Sequence, residues 1–378
     1  MDLYKRELNL PSILKQKSHF LFGARGTGKS TLIDQTLPDS KVFDLLDDEI
    51  YERLLRSPKI IEEVTANFSG IVVIDEIQRL PKLLNEVQRL MRKVPNTFLL
   101  TGSSARKLKK GASNLLGGRA WEAHLHPLTY REIDDFNLLK YLNYGGLPHV
   151  YLSSNPTKEL RHYINLYLRE EIITEALTRK MEYFISFLDT LSLANGEELR
   201  FQNISNDSNV PARTIQNYIQ ILEDTLIGFQ LKPFRKTKKR KAIACSKFYF
   251  FDLGVVNQLA KRSEIKEGSE LFGKAFEHFI IREVKSRLSY KDTDHELCYW
   301  RSTSQFEVDL IIGNKYAIEI KSTKNINSSH LKGLKALREE GLIEKYIVVS
   351  NDPISREIDG VFVCHWRDLF KNYFGEGV

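Results

Sequence analysis

The stretch Ser18 to Leu37, SHFLFGARGTGKSTLIDQTL, leaves little freedom to a chain that carries it. A short apolar run, His19 to Phe22, predicts a strand; a glycine-rich turn follows, and a helix is predicted to start near Lys29. The turn fits G-x-x-x-x-G-K-S with Gly23, Gly28, Lys29 and Ser30. Glycines at that spacing let consecutive backbone N–H groups wrap a phosphate chain, and the helix N-terminus adds its positive dipole end. Lys29 would reach the β- and γ-phosphates, and the Ser30 hydroxyl would ligate magnesium. Gly26 and Thr31 complete the candidate nucleotide cradle. A plain glycine turn is the competing reading; the strand before it and the helix after it speak against that.

Such a cradle needs a second strand bearing an acid. GIVVIDEIQRL supplies one: Ile71 to Ile74 predict a buried parallel strand that ends on Asp75 and Glu76. Asp75 would hold magnesium through water, and Glu76 would activate the attacking water as general base. A cap for the next helix is the plainer use of this acid pair. Thr97 to Leu100 predict a third strand, after which Ser103 is a candidate γ-phosphate sensor or an ordinary strand-end cap. Lys41 to Asp47 and Arg119 to Leu128 read as two more strands with helical stretches between. Alternation of this kind implies a parallel α/β sheet with its ligand at the carboxyl ends of the strands.

With the boxes GARGTGKS, DEIQRLP, LLTGSSARKL, GGRAWEAHLHPLTYREI and NYGGLPHVYL, the chain resembles AAA+-type ATPases. More closely, it resembles the bacterial and archaeal ATP-binding proteins that end in a domain of unknown function. That resemblance covers nearly the whole chain. It implies ATP and Mg²⁺ as cofactors and a sheet of order 5-1-4-3-2, and it raises Arg119 as an arginine finger or sensor. Arg119 could equally pair with a surface carboxylate. A finger acting in trans would require a homo-oligomer.

Length sets the number of cores. At 378 residues, two or three domains are expected, and we place them at 1–150, 151–265 and 266–378. Net charge is +7, which suits a polyanion partner without proving one. Cys245, Cys298 and Cys364 are far apart in sequence and read as reduced thiols of a cytoplasmic protein. The start carries scattered charges and no apolar signal region, and no apolar run approaches the ~20 residues that span a bilayer.

The middle of the chain reads as a helical lid, Leu160 to Leu193, followed by a winged helix. A short helix around Ile204 and a second one from Pro211 have helix-turn-helix spacing, with Arg213 on the polar side of the second. Next come Lys236, Lys238, Lys239, Arg240 and Lys241 between two apolar strands, like the basic tip of a wing. Such charges would grip DNA phosphates with little sequence preference. Winged helices also dock proteins, and a charge run can be a solvated loop.

The last third holds a conflict. Phe306 to Thr323, FEVDLIIGNKYAIEIKST, reads as a core hairpin, yet it carries Asp309, Glu319 and Lys321. A turn centred on Asn314 places Asp309 opposite Glu319 and Glu307 opposite Lys321. Two carboxylates so close repel, and a bound cation resolves the conflict. The pattern D-x9-E-x-K after a helix bearing Glu277 resembles the PD-(D/E)XK nuclease core. The resemblance implies that Glu277, Asp309 and Glu319 hold Mg²⁺ with the Ile320 carbonyl, and that Lys321 orients the attacking water. The nominal proline before Asp309 is missing. A cross-strand Glu307–Lys321 ion pair, or a nuclease-like fold that does not cleave, are the alternatives.

The sequence therefore predicts an α/β protein: an AAA+-like P-loop sheet, a helical lid with a winged helix, and a C-terminal nuclease-like domain. The expected function is ATP hydrolysis coupled to DNA binding and Mg-dependent cleavage. An ATP-driven switch with an inert C-terminal domain is the runner-up. A small-molecule kinase is disfavoured, because Glu76 beside Asp75 favours water as the nucleophile.

Overall fold

The computed structural model describes residues 4–104, 116–168, 181–293 and 295–374. Part of the predicted lid, 169–180, lies outside them. On either side, Pro156–His162 and Met181–Leu193 are α-helical, and Tyr163–Leu168 forms a π-helical turn.

Five strands build the first sheet: β1 (Ser18–Phe22), β2 (Lys41–Asp44), β3 (Ile71–Asp75), β4 (Thr97–Gly102) and β5 (Ala120–His124). All pairs are parallel, in the order β2-β3-β4-β1-β5. Alternate residues of an apolar strand face opposite sides, so each strand feeds two cores. Phe20, Phe22, Val72, Ile74, Phe98 and Leu100 pack on one side, whereas Leu21, Val73 and Leu99 pack on the other. Helix α1 (Lys29–Thr36) leaves the carboxyl end of β1, which lies between β4 and the edge strand β5.

In the middle of the chain, α2 (Phe201–Ser208) and α3 (Ala212–Asp224) meet at Asn209, whose φ of 56° is left-handed. Asparagine is among the few side chains that tolerate that conformation. Ile215, Tyr218, Ile219 and Leu222 are buried, and Arg213 is exposed. Next, β6 (Gly228–Pro233) and β7 (Lys247–Phe250) form the expected antiparallel pair.

The pair is not a free-standing wing. Beyond its hairpin partner, β6 runs parallel to β8 (Leu297–Arg301) through Lys232↔Cys298 and Pro233↔Tyr299. Joining it closes an edge of β8 that would otherwise present unpaired backbone groups. The second sheet thereby reaches eight strands: β12-β13-β11-β10-β9-β8-β6-β7. Its remaining members are β9 (Glu307–Ile312), β10 (Tyr316–Lys321), β11 (Lys345–Ser350), β12 (Arg356–Ile358) and β13 (Val361–His365). Helix α4 (Glu270–Tyr290) precedes β8, and α5 (Lys332–Arg338) joins β10 to the parallel strand β11. The β9–β10 register matches the predicted turn, with Tyr316↔Ile312, Ala317↔Ile311 and Ile318↔Leu310.

The 21-residue α4 is the spine of the molecule. Phe276, Phe279 and Ile280 pack with Leu310, Ile312 and Ile318 of the sheet, and with Leu128, Ile133 and Tyr141 from beyond β5. One turn of it is buried all round. There His278 meets the Phe250 carbonyl through Nε2 at 2.7 Å and the Asn195 amide through Nδ1 at 3.3 Å. Burial holds its pKa down at about 3, below the ordinary 6.5, so the folded protein keeps the ring neutral while the unfolded chain takes up a proton. The contribution to stability is complete above pH 6.5 and declines by ~1.4 kcal/mol per pH unit on acidification toward 3. Urea unfolding at several pH values is expected to show a shallower acid loss in His278→Gln than in the wild type; equal slopes would contradict this assignment.

Candidate nucleotide site and carboxylate cluster

At the carboxyl end of β1 the chain turns through Gly23 to Gly28 into α1. A Cβ on Gly23 would stand 2.6 Å from the Leu125 carbonyl oxygen, and Gly28 has a φ of 92°, so both positions need glycine. Lys29 is buried, and its Nζ donates to the Gly23 carbonyl at 2.7 Å. Ser30 Oγ lies 3.0 Å from Asp75 Oδ2, across the gap between β1 and β3. The sequence thus brings hydroxyl, ammonium and carboxylate together from segments 45 residues apart.

Three features of this site were not read from the sequence. Thr101 of β4, fully buried, donates its hydroxyl to Asp75 Oδ1 and receives the Glu76 backbone N–H at 3.1 Å. Gln78 bonds the Glu76 carboxylate through its amide and also donates to Ser103 Oγ at 3.2 Å. Glu76 itself has a φ of 57°, a conformation that costs a glutamate energy and needs surroundings that enforce it. The threonine at a strand end and the glutamine two residues beyond the acid are the signals that would have found the first two.

A cavity of about 620 Å³ opens beside the loop, with Tyr4, Arg6, Gly28, Thr31, Pro148 and His149 among its walls. Arg6 clamps the loop: its guanidinium donates to the Thr27 carbonyl at 2.7 Å and pairs with Glu132 at 3.0 Å.

Arg119 is placed elsewhere. It precedes Ala120, which pairs with Ser18 at the amino end of β1, whereas the phosphate loop follows Phe22. Five residues of strand separate the two, ~17 Å at 3.3 Å per residue. Its Nη1 lies 3.5 Å from the Leu116 carbonyl. Within one chain Arg119 therefore does not reach the loop, and only a second copy would bring it there.

The basic run is tied down more than a wing tip would be. The Glu340 carboxylate, just past α5, accepts the backbone N–H groups of Lys238, Lys239 and Arg240 at 2.8, 3.0 and 2.9 Å. The Arg240 guanidinium pairs with Glu339 at 2.8 Å, Lys239 Nζ donates to the Glu339 carbonyl, and Lys236 Nζ lies 3.3 Å from Asn314 Oδ1. The carboxyl end of a helix attracts cations, so α5 fixes the loop. Lys236, Lys238, Lys239 and Lys241 are exposed.

In the second sheet the crowding of acids is real, but its resolution differs from the expected one. The β9–β10 ladder stops at Ile318↔Leu310, and the next free N–H, that of Ile320, goes to Asp309 Oδ2 at 2.7 Å. Asp309 and Glu319 are both buried. Burial first, and then Glu277, push Asp309 up to about 6. Burial and Asp309 push Glu319 upward as well. Among the described residues no group of three or more His, Cys, Asp or Glu side chains is arranged to hold a metal ion. The expected convergence of Glu277, Asp309 and Glu319 on Mg²⁺, with the Ile320 carbonyl, is therefore not met.

Lysines stand there instead. Lys321 Nζ lies 2.6 Å from Glu319 and 3.9 Å from Asp309. Lys247 of β7, 5% exposed, reaches Glu307 at 2.7 Å and Glu277 at 3.3 Å. In the alternative reading Glu307 paired with Lys321; here it pairs with Lys247. Tyr249, two residues along β7 and on the same face, donates its hydroxyl to Glu277 at 2.6 Å. Lys247 was missed because it belongs to another segment; a lysine opening the apolar run KFYF was the available signal.

The phosphate loop, the acid-ended neighbouring strand and the parallel sheet define an α/β domain with a P-loop-like nucleotide site. Residues 15–134 match the family described as an AAA domain. Residues 135–266 match a domain of unknown function, DUF8612, and residues 272–369 match another, DUF4143. Similar curated proteins carry no assigned role. An uncharacterized protein of Mycobacterium tuberculosis is 26% identical over 357 residues, covering 90% of this chain and 79% of its own length. One of Methanocaldococcus jannaschii is 25% identical over 350 residues, covering 82% and 75%. Among solved structures, the ADP form of the Aeropyrum pernix ORC2 protein is similar at 16% identity and a TM-score of 0.34, over 67% of this chain and 92% of that one. That likeness is too slight to argue from. Among the described residues no helix is long and apolar enough to cross a membrane.

Proposed function

We propose that this protein binds and hydrolyses ATP at the phosphate loop and uses the cycle to control polynucleotide engagement by the rest of the chain. The observation that carries the reading is the contact of Ser30 with Asp75 beside Lys29 and Glu76 at one end of the sheet. The pair Ser30–Asp75 fits a magnesium ion, which would neutralise phosphate charge there. Gly23, Gly26 and Gly28 would present backbone N–H groups to the phosphates, and Thr31 and the adjoining cavity would take the nucleoside. Lys29 would leave the Gly23 carbonyl for the β- and γ-phosphates. Glu76, steered by Gln78, would take a proton from the attacking water, and Ser103 would sense the γ-phosphate through the same glutamine. Phosphate release from ATP and magnesium by the full chain is the test, and its absence would overturn the reading.

The division into an ATPase part, a helix-turn-helix part and a C-terminal part is proposed with it. The order helix, three antiparallel strands, helix, parallel strand supports a nuclease-like C-terminal core. Lysines occupy the acid cluster, and that observation favours the switch reading over cleavage. Polynucleotide contact falls to Arg213, Lys238 and Lys241, exposed members of the predicted set, rather than to Arg240, Lys239 or Lys236, whose side chains are engaged by Glu339 and Asn314. Lys238→Ala with Lys241→Ala is expected to weaken DNA binding and to reduce the salt slope, log Kobs against log [salt], by about 2. A filter-binding salt titration with an unchanged slope would remove this loop from the interface.

A further inference from the structure

Four carboxylates, Glu277, Glu307, Asp309 and Glu319, gather where α4, β7, β9 and β10 meet. Two of them, Asp309 and Glu319, lie on neighbouring strands with Lys321 across both. The other two, Glu277 and Glu307, come from a helix and a strand and are bridged by one buried ammonium, that of Lys247. Arg301 adds a third cation, 3.5 Å from Glu307 and 3.2 Å from Glu198.

One acceptor in the cluster stays unmatched: the buried Oε2 of Glu319 has no hydrogen-bond partner. A buried carboxylate oxygen without a donor is costly, and it marks an unfilled need for a proton or a cation at Glu319 beyond the Lys321 ammonium. On the opposite side the need is met, because Lys247 sits between Glu277 and Glu307. A divalent ion drawing on Glu277 together with Asp309 and Glu319 would have to share its space with that ammonium. Cations so close in a buried site exclude each other.

We propose that Lys247 is a built-in counter-ion that closes this carboxylate cluster to divalent cations. The lysine comes from β7 and the acids from α4, β9 and β10, so access to the cluster depends on how the β6–β7 hairpin sits on the second sheet. The hairpin lies directly after the helix-turn-helix, and β7 holds the cluster at two points, Lys247 and the Tyr249 hydroxyl on Glu277. Removing the ammonium leaves Glu277 and Glu307 without their bridge and creates room for a metal. The proposal stands apart from the ATP-hydrolysis reading and concerns only cation uptake by the second sheet.

The test is titration of the nucleotide-free full chain with Mn²⁺, with free Mn²⁺ followed by electron paramagnetic resonance. The wild type is expected to take up no Mn²⁺ that Asp309→Asn abolishes. Lys247→Met is expected to bind one Mn²⁺ per chain about a hundredfold tighter or more, and Lys247→Met with Asp309→Asn to lose it. Lys247→Arg, which keeps the charge, should behave as the wild type. If Lys247→Met does not fold, Lys247→Gln, which keeps a donor toward both glutamates, takes its place. Wild-type uptake that depends on Asp309 would overturn the proposal, as would a folded Lys247→Met or Lys247→Gln that binds no more Mn²⁺ than the wild type.

Discussion

Lys29→Ala is expected to abolish nucleotide binding at the loop and all turnover with it. The side chain is buried, with its ammonium on the Gly23 carbonyl, so the loop already holds one fixed positive charge where phosphates would lie. A dense anion such as triphosphate gains most from a charge placed in a site shielded from water. Alanine leaves the glycine turn and the start of α1 intact, so the fold of the sheet should survive. Calorimetric titration with ATP and magnesium checks the result: binding by the wild type and none by Lys29→Ala. Equal affinity in the two would remove the loop from the nucleotide site.

The second large effect is on stability and concerns Arg282, which is enclosed on α4 together with Glu283. It is 2% exposed, and its guanidinium donates to the Pro127 and Leu128 carbonyls at 3.2 and 2.9 Å, to the Tyr141 hydroxyl, and to Glu283 at 2.6 Å. The loop it secures leads from β5 to Tyr141, so one side chain ties the first sheet to the spine helix. Arg282→Met would take the cation away from Glu283, whose carboxyl burial already pushes up to about 7 and which also accepts the Tyr130 N–H at 3.3 Å; a buried pair broken on one side costs ~3–5 kcal/mol. Removing both partners, Arg282→Met with Glu283→Gln, should cost less than the arginine alone, because no buried charge is then abandoned. Chemical unfolding of the three proteins gives the answer. A double variant as damaged as, or more damaged than, the single one would show that the pair is not what holds the loop.

The legible parts of this protein are those in which function dictates backbone. The phosphate loop is one, since glycines at fixed spacing between a strand and a helix have few other uses. The β9–β10 register is another: alternation and a glycine turn fix which residues oppose each other, and the pairs Tyr316↔Ile312 to Ile318↔Leu310 follow. Long-range association was not legible. Nothing local in KFYF says that β7 will lie near Glu277, or that β6 will extend past its hairpin to pair with β8. The divalent ion expected among Asp309, Glu319 and Glu277 was argued from charge repulsion and from likeness to a nuclease core. The repulsion exists, but a lysine from a distant strand relieves part of it. Likewise, a run of lysines and arginines reads as free charge until Glu340, a hundred residues later, takes up its backbone donors. Arg119 was raised as a finger or sensor by likeness of sequence, and the parallel register with Ser18 sets it away from the loop of its own chain, which leaves the role in trans.

The central claim is that the acid at the end of β3 activates water against a nucleotide held by the loop. Its most direct measurement compares phosphate release by the wild type and by Glu76→Gln at saturating ATP and magnesium, with ATP retention followed in parallel. The account predicts ATP bound by both proteins, and release slowed by about 10²–10⁴-fold in the variant. Equal rates of release, or no release by the wild type, would contradict it.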